Sequence, residues 1–110
     1  MQRYTVRCQF TGQDPVVIER WLAWLRDPHI ADVMAGGATG AEVVKMSDQV
    51  PTYEIRYQFA SEADFQTYLS QHAPSLRDEG LKLFPPEELG LSYSRTDGQV
   101  IHSTWGNLED

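Results

Sequence analysis

The sequence predicts an α+β fold in which two kinked helices cover one face of a four-stranded antiparallel sheet. The chain has 110 residues and is 41% hydrophobic. This suits one domain spanning residues 1–110, because a chain of this size buries roughly 65% of its unfolded surface. Stretches of alternating polar and apolar residues predict strands, and apolar residues at helical spacing predict helices. These segments follow the order strand, helix, strand, strand, helix, strand.

The amino-terminal half predicts a strand and an interrupted helix. Polar and apolar side chains alternate from Arg3 to Phe10, as in a strand with one buried face. Asp14-Pro15 then provides a capping carboxylate and a proline suited to a first helical turn. Helical spacing continues from Pro15 to Ala35 with a break at Asp27-Pro28, because proline cannot donate the backbone hydrogen bond. Gly36-Gly37 is typical of a helix end.

The second half predicts three further strands and one helix. Ala41–Met46 and Thr52–Ala60 are strand-like runs, and the short connection from Asp48 to Pro51 predicts that they form a hairpin. Ser61–Asp64 has the form of a capping box and starts the second helix, which breaks at Ala73-Pro74. Alternation returns at Leu89–Thr96, which predicts the last strand.

This order corresponds to two split βαβ units, the ferredoxin-like βαββαβ arrangement. The apolar strand faces then meet the helices and form the core. The opposite sheet face is polar and contains Arg3, Thr5, Arg7, Gln9, Glu54, Arg56 and Gln58. Solvent covers this face in a monomer, and a partner sheet can cover it if its charges are paired. Alternation alone leaves both arrangements open.

Charge and composition exclude several classes of partner. Nine Lys and Arg against 16 Asp and Glu leave a net charge of −7. Nucleic acid and anionic membrane surfaces require a dense cationic face, so neither is expected as a partner. The single Cys8 cannot form an internal disulfide, and no stretch has the length of a signal peptide or membrane span. A cytoplasmic location is the expectation.

Two histidines stand beside the predicted helix breaks and are the candidate catalytic residues. His29 follows Pro28, and His72 precedes Ala73-Pro74. In one interpretation, both imidazoles face a cavity between helices and sheet, where each can act as acid, base or ligand near neutral pH. In the other, each ring N–H binds a carbonyl that the neighbouring proline leaves free. The sequence leaves both interpretations open.

Trp24, His29, Tyr68 and His72 together form the candidate ligand-binding set. Trp24 is the aromatic residue nearest His29 on the first helix, and Tyr68 lies on the same helical stripe as His72. Trp21 and Trp24 project on one helical face, which serves either as core packing or as a platform for a flat ligand. The same four residues are therefore ordinary core residues in the structural interpretation.

Other chemistries find no support in the sequence. His29 and Asp32 are three residues apart, but no spacing matches a zinc or iron pattern, so neither a metal nor another cofactor is expected. Cys8 falls on the apolar side of its strand, which favours a buried, inert thiol. The glycines after the first helix precede a strand, the reverse of the order that a phosphate-binding loop requires.

A set of motifs resembles a small bacterial family. The motifs are Trp21-Leu22-Ala23-Trp24-Leu25, Pro28 to Gly37, Tyr68-Leu69, His72 to Arg77, and Phe84. Together they resemble the uncharacterised family DUF4286 from about Tyr4 to Arg95. The resemblance implies a dimeric α/β barrel, in which two ferredoxin-like subunits pair their sheets with helices outside. It implies no activity, because the wider barrel group includes monooxygenases, isomerases, haem proteins and regulatory ligand-binding domains.

Two hypotheses follow. In the first, a cytoplasmic homodimer binds a small organic ligand between helices and sheet, and proton transfer by His29 or His72 is the reaction class if a reaction occurs. In the second, the homodimer is structural or regulatory, and the histidines only stabilise the helix breaks. The size of a cavity and the access of the imidazoles to it distinguish the two.

Overall fold

The computed structural model describes residues 1–104, so the end of the chain's tail, residues 105–110, lies outside the described range. The strands are β1 (Gln2–Gln9), β2 (Ala38–Lys45), β3 (Thr52–Phe59) and β4 (Ser92–Gln99), and the helices are α1 (Pro15–Trp24), α2 (Ile30–Ala35), α3 (Glu62–Gln71), α4 (Ala73–Leu83) and α5 (Pro86–Leu89). The strands form one antiparallel sheet in the order β2-β3-β1-β4. The predicted α+β fold is confirmed.

The first predicted helix consists of α1 and α2 with a connecting segment, Leu25–His29, between them. Asp14 caps α1, its carboxylate accepting a hydrogen bond from the backbone N–H of Val16 at 2.9 Å. Within the segment, Asp27 is extended, with φ −159° and ψ 109°. A residue before proline is pushed out of the helical region by the proline ring, so Pro28 accounts for the position of this interruption.

The second predicted helix is also interrupted, and it divides at His72. Ser61 caps α3 by accepting a hydrogen bond from the backbone N–H of Asp64 at 3.1 Å. His72 has φ −121°, outside the helical region, and Pro74 lies in the first turn of α4. Proline suits that position because the first turn leaves its N–H groups unpaired.

The core lies between the helices and one face of the sheet. Alternate residues of β1 and β3 are buried there, and large aromatic side chains from α1 and α3 pack onto them. Trp21 contacts Phe10 edge-on at 5.1 Å between ring centroids, and Phe65 lies 5.0 Å from Tyr4. The helices of both halves of the chain therefore pack on the same sheet face.

The last strand begins later than the alternation predicts, at Ser92 instead of Leu89. Leu89 belongs to the short helix α5, which ends at Gly90 in the left-handed region at φ +70°. A Cβ on Gly90 would lie 2.8 Å from the Cα of Gly12, so this close approach of two chain segments requires glycine. At the other end, the Val100 N–H donates to the Met1 carbonyl at 2.8 Å.

None of the helices among residues 1–104 has the length and apolar character needed to cross a lipid bilayer.

Candidate functional site

A cavity of about 40 Å³ lies between the inner face of the sheet and the helices. Its lining comes from β1, β3 and β4 on one side and from α1, α3, α4 and the connecting segment on the other. The lining residues are Tyr4, Val6, Trp21, Trp24, Leu25, His29, Ile55, Tyr68, Leu76, Arg77, Gly80, Leu81, Tyr93 and Arg95. A cavity holds one water molecule once its volume reaches roughly 10–15 Å³, so this cavity is larger than a single water.

One wall of the cavity is a pair of stacked rings. The indole of Trp24 and the imidazole of His29 lie 4.1 Å apart with an angle of 24° between their planes. The two rings flank the interruption between α1 and α2, where Asp27 leaves the helical conformation. Trp24 also packs against Gly80 of α4, where a Cβ would lie 3.0 Å from the indole Cη2. Gly80 thus provides the space that the indole occupies.

His29 is a neutral base at this wall. Burial is the main cause that lowers the pKa of His29 from 6.5 to about 4; Asp32 opposes this shift and Arg95 adds to it. The buried Nδ1 atom of His29 has no hydrogen-bond partner among the described residues. A neutral imidazole with a free ring nitrogen can exchange a hydrogen bond or a proton with a group in the cavity.

Two further buried donors at the cavity lack partners within residues 1–104. They are the indole Nε1 of Trp24 and the guanidinium Nε of Arg77. Another nitrogen of the Arg77 guanidinium donates to the Tyr4 hydroxyl at 2.9 Å, which holds the side chain against the inner sheet face. Buried polar groups normally have a partner, either protein or water. Unpartnered polar atoms of Trp24, His29 and Arg77 therefore add polar groups to a largely aromatic cavity lining.

Tyrosines complete the polar part of the lining. The Trp21 indole donates to the Tyr93 hydroxyl at 2.9 Å. Burial raises the pKa of Tyr68 to about 12 and also raises that of Tyr93, so both phenols stay protonated near neutral pH. Cys8, fully buried, has its pKa raised to about 12 for the same reason, which makes its thiol a poor nucleophile.

The cavity brings together three of the four candidate ligand-binding residues. Trp24, His29 and Tyr68 line it, and His72 does not. The His72 ring instead stacks on Tyr68 at 6.4 Å and 13°, and a Cβ on Gly36 would lie 3.1 Å from it. His72 therefore packs between α2 and α3, while His29 faces the cavity.

Sequence reasoning missed four polar residues of the lining: Tyr4, Arg77, Tyr93 and Arg95. Tyr4 and Tyr93 look like core residues in an alternating strand. Arg95 carried a usable signal, because it shares the predicted inward side of its strand with Tyr93. Arg77 lies one turn before Gly80 on α4, and only the fold shows that this helix face borders the cavity.

A metal centre finds no support in residues 1–104, where no group of three His, Cys, Asp or Glu side chains is placed to hold an ion. A broader depression of about 390 Å³ lies on the outer sheet face, between Arg3, Glu42, Arg56 and Gln58. It has no aromatic lining and belongs to the polar face of the sheet.

Comparison with known proteins assigns the chain to a family. A family model described as a domain of unknown function, DUF4286, matches residues 4–92. The chain belongs to the DUF4286 family. The matched range contains all of the cavity lining except Tyr93 and Arg95. No curated protein matches this DUF4286 chain.

Solved structures share the fold of this DUF4286 protein at low sequence identity. A dimeric ferredoxin-like protein from an uncultured marine organism has a TM-score of 0.67 and 9% identity, covering 93% of this chain and 96% of its own. SnoaB, a cofactor-independent oxygenase from Streptomyces nogalater, has a TM-score of 0.61 and 11% identity, covering 94% and 97%. Rv0793 from Mycobacterium tuberculosis has a TM-score of 0.56 and 16% identity, covering 94% and 99%. These similarities support the ferredoxin-like fold alone.

Proposed function

We propose that this protein is a homodimer that binds a small organic ligand in the cavity between helices and sheet, with His29 as the proton-exchanging group. The observation that carries the proposal is that three residues lining one cavity, Trp24, His29 and Arg77, each have a buried polar atom without a hydrogen-bond partner among residues 1–104. Leaving a polar atom buried without a partner costs about 1–3 kcal/mol, so a ligand that satisfies these atoms gains affinity.

The dimensions of the cavity indicate what enters it. Its volume of about 40 Å³ suits a group of a few heavy atoms, whereas pockets that enclose drug-sized ligands span roughly 300–1,000 Å³. The ligand thus places one functional group inside and extends towards the surface. Leu81 of α4 lines the cavity and is 47% exposed, and Arg95 of β4 is another exposed lining residue, so the opening lies between these two elements.

His29 provides the chemistry. Burial keeps its imidazole neutral at pH 7 and well below, so it accepts a hydrogen bond from a hydroxyl or N–H group of the ligand and takes up a proton only as such a group reacts. The stacked Trp24 ring restrains the orientation of the imidazole. Proton exchange at His29 is therefore the reaction that we assign if the bound ligand is converted. His72 has no part in this proposal, because its ring lies outside the cavity lining.

A thermal-shift screen of small organic acids, amides and phenols tests the proposal. A ligand at about ten times its Kd stabilises the native state by about 1.4 kcal/mol, which raises Tm by roughly 6 °C for a domain of this size. We expect such a shift for the wild type and its loss in the variant His29→Ala.

The matched control is His72→Ala, which removes the other candidate imidazole away from the cavity. It should keep the ligand-induced shift of the wild type. Equal shifts in the wild type and His29→Ala, for every stabilising compound, would contradict the proposed site.

The dimer is supported by the outer sheet face. Arg7 and Arg56 both bind Glu54 within the same chain, at 3.0 Å and 2.8 Å. Charges that are already paired can be covered by a second sheet at lower cost than isolated charges. A structural neighbour is itself described as dimeric. We assign the dimer contact to this face.

A further inference from the structure

We infer that the ligand carries a carboxylate, which Arg77 binds inside the cavity, and an apolar ring that rests at the cavity opening. This inference rests on the proposed function and names the ligand class of the same site.

Among the residues that the structure describes, Arg77 forms no ion pair. Its guanidinium donates to the Tyr4 hydroxyl at 2.9 Å, and its buried Nε has no partner among the described residues. The adjacent carboxylate, Asp78, pairs with Lys82 at 3.2 Å and not with Arg77. Arginine stays charged in proteins, and its fork of N–H donors matches the two oxygens of a carboxylate.

The surroundings reinforce this charge. Arg95 lines the same cavity, with its guanidinium 5.4 Å from the Tyr93 ring centroid, and it forms no ion pair within residues 1–104. None of the lining residues is Asp or Glu. A chain with a net charge of −7 therefore places two arginines, and no Asp or Glu, among the residues that line its aromatic cavity, although Asp32 interacts electrostatically with His29. Such a site favours an anion over a neutral or cationic group.

The remaining lining residues favour a carboxylate over other anions. They also favour a ligand in which this carboxylate is attached to a planar ring. The Trp24 indole N–H has no hydrogen-bond partner among the described residues, and it is a neutral donor suited to a carboxylate oxygen. At about 40 Å³ the cavity admits a group as small as a carboxylate. At the opening, the exposed Leu81 of the lining provides an apolar edge on which a planar ring can pack.

Nuclear magnetic resonance titration with benzoate, and with benzamide as its neutral counterpart of equal shape, tests the inference. The indole N–H signal of Trp24 reports occupancy. We expect benzoate to shift it saturably at millimolar concentration and benzamide to bind at least about tenfold more weakly. The variant Arg77→Gln should weaken benzoate about tenfold and leave benzamide unchanged.

The control variant is Arg26→Gln, which neutralises an exposed arginine outside the cavity lining and should bind benzoate as the wild type does. If Arg77→Gln fails to fold, Arg95→Gln is used in its place to remove one positive charge from the cavity lining. Arg95 is exposed, and its loss leaves the hydrogen bond between Arg77 and Tyr4 intact.

The outcomes separate the two proposals. Two results would overturn the carboxylate inference and leave ligand binding intact. One is equal binding of benzoate and benzamide at Trp24; the other is unchanged benzoate affinity in Arg77→Gln, or in Arg95→Gln where Arg77→Gln does not fold. No response of Trp24 to either probe would overturn the carboxylate inference, while the thermal-shift screen with phenols and amides still decides the proposed function independently.

Discussion

His29 illustrates how a single position changes the chemistry of a common residue. Its ring is stacked on Trp24 and largely removed from water, which disfavours the charged imidazolium. The pKa near 4 makes it a neutral hydrogen-bonding group throughout the physiological range. The same burial makes the native state sensitive to acid.

We predict that His29 makes the protein less stable as the pH falls. Its pKa is 6.5 when exposed and about 4 in the native state, so the unfolded chain binds the extra proton between these values. Stability is then fully retained above about pH 6.5 and falls as the pH is lowered, by about 2 kcal/mol between pH 7 and pH 5. Urea unfolding at both pH values, at one protein concentration, measures this change.

The variant His29→Gln should lose that part of the pH dependence, because glutamine does not titrate. His102→Gln, at an exposed position away from the cavity, serves as the control and should behave as the wild type. An unchanged slope of stability against pH in His29→Gln would refute the assignment.

Among the helices, the packing of α4 against α1 sets the shape of the cavity. Gly80 lets the Trp24 indole approach the α4 backbone, where any Cβ would come within 3.0 Å of the ring. Glycine costs a helix roughly 1 kcal/mol relative to alanine, so its use here has a packing reason. Because the cavity adjoins Trp24, the indole has room to move if it is pushed.

We therefore predict that Gly80→Ala changes ligand binding more than stability. The gain in helix propensity of roughly 1 kcal/mol offsets the crowding, so Tm should move by only a few degrees. The displaced indole should narrow the cavity, shift the Trp24 N–H signal and weaken benzoate about tenfold. Gly98→Ala is the control, because a Cβ there meets nothing within 4 Å. Retention of both the Trp24 signal and benzoate affinity in Gly80→Ala would rule out this role.

For the whole molecule, the decisive surface is the outer face of the sheet. Arg7 and Arg56 are paired within the chain: Arg7 lies directly opposite Glu54 in the strand register, and Arg56 binds the same carboxylate. Arg3, on the same face, forms no ion pair within residues 1–104. Every polar residue of this face in β1 and β3 is only half-buried in the isolated chain. A second sheet that covers this face would bury Arg7, Glu54 and Arg56 as an ion-paired group.

We predict that light scattering at micromolar concentration gives twice the mass of one chain. Thr5→Arg should produce a monomer, because it adds a bulky charge at the centre of the outer face while leaving the chain's own core untouched. Glu19→Lys, on the exposed side of α1, is the matched control and should remain dimeric. Circular dichroism checks that each variant is folded. A monomeric wild type would exclude the dimer. A Thr5→Arg variant that remains dimeric would place the dimer contact on another surface.

Local sequence patterns were sufficient for the four strands and the two interrupted helices, but not for the short helix α5. The alternation of Arg3 to Phe10 and of Thr52 to Ala60 identified the two central strands, and the prolines at 28 and 74 marked where the helices are interrupted. These signals are local because side-chain period and proline geometry depend on neighbouring residues alone. The later start of the last strand escaped prediction, because Gly90 is held in place by a contact with Gly12, far away in the sequence.

The candidate site required the folded chain. Trp24 and His29 are five residues apart and were paired on the sequence, whereas Tyr4, Arg77 and Arg95 come from distant segments. The two histidines have similar local sequences, since each lies within two residues of a proline. Their environments in the fold differ, because His29 lines the cavity and His72 packs on Tyr68. Residue order specifies which groups can titrate or donate, but burial and distance between segments, which only tertiary packing creates, decide which of them act together.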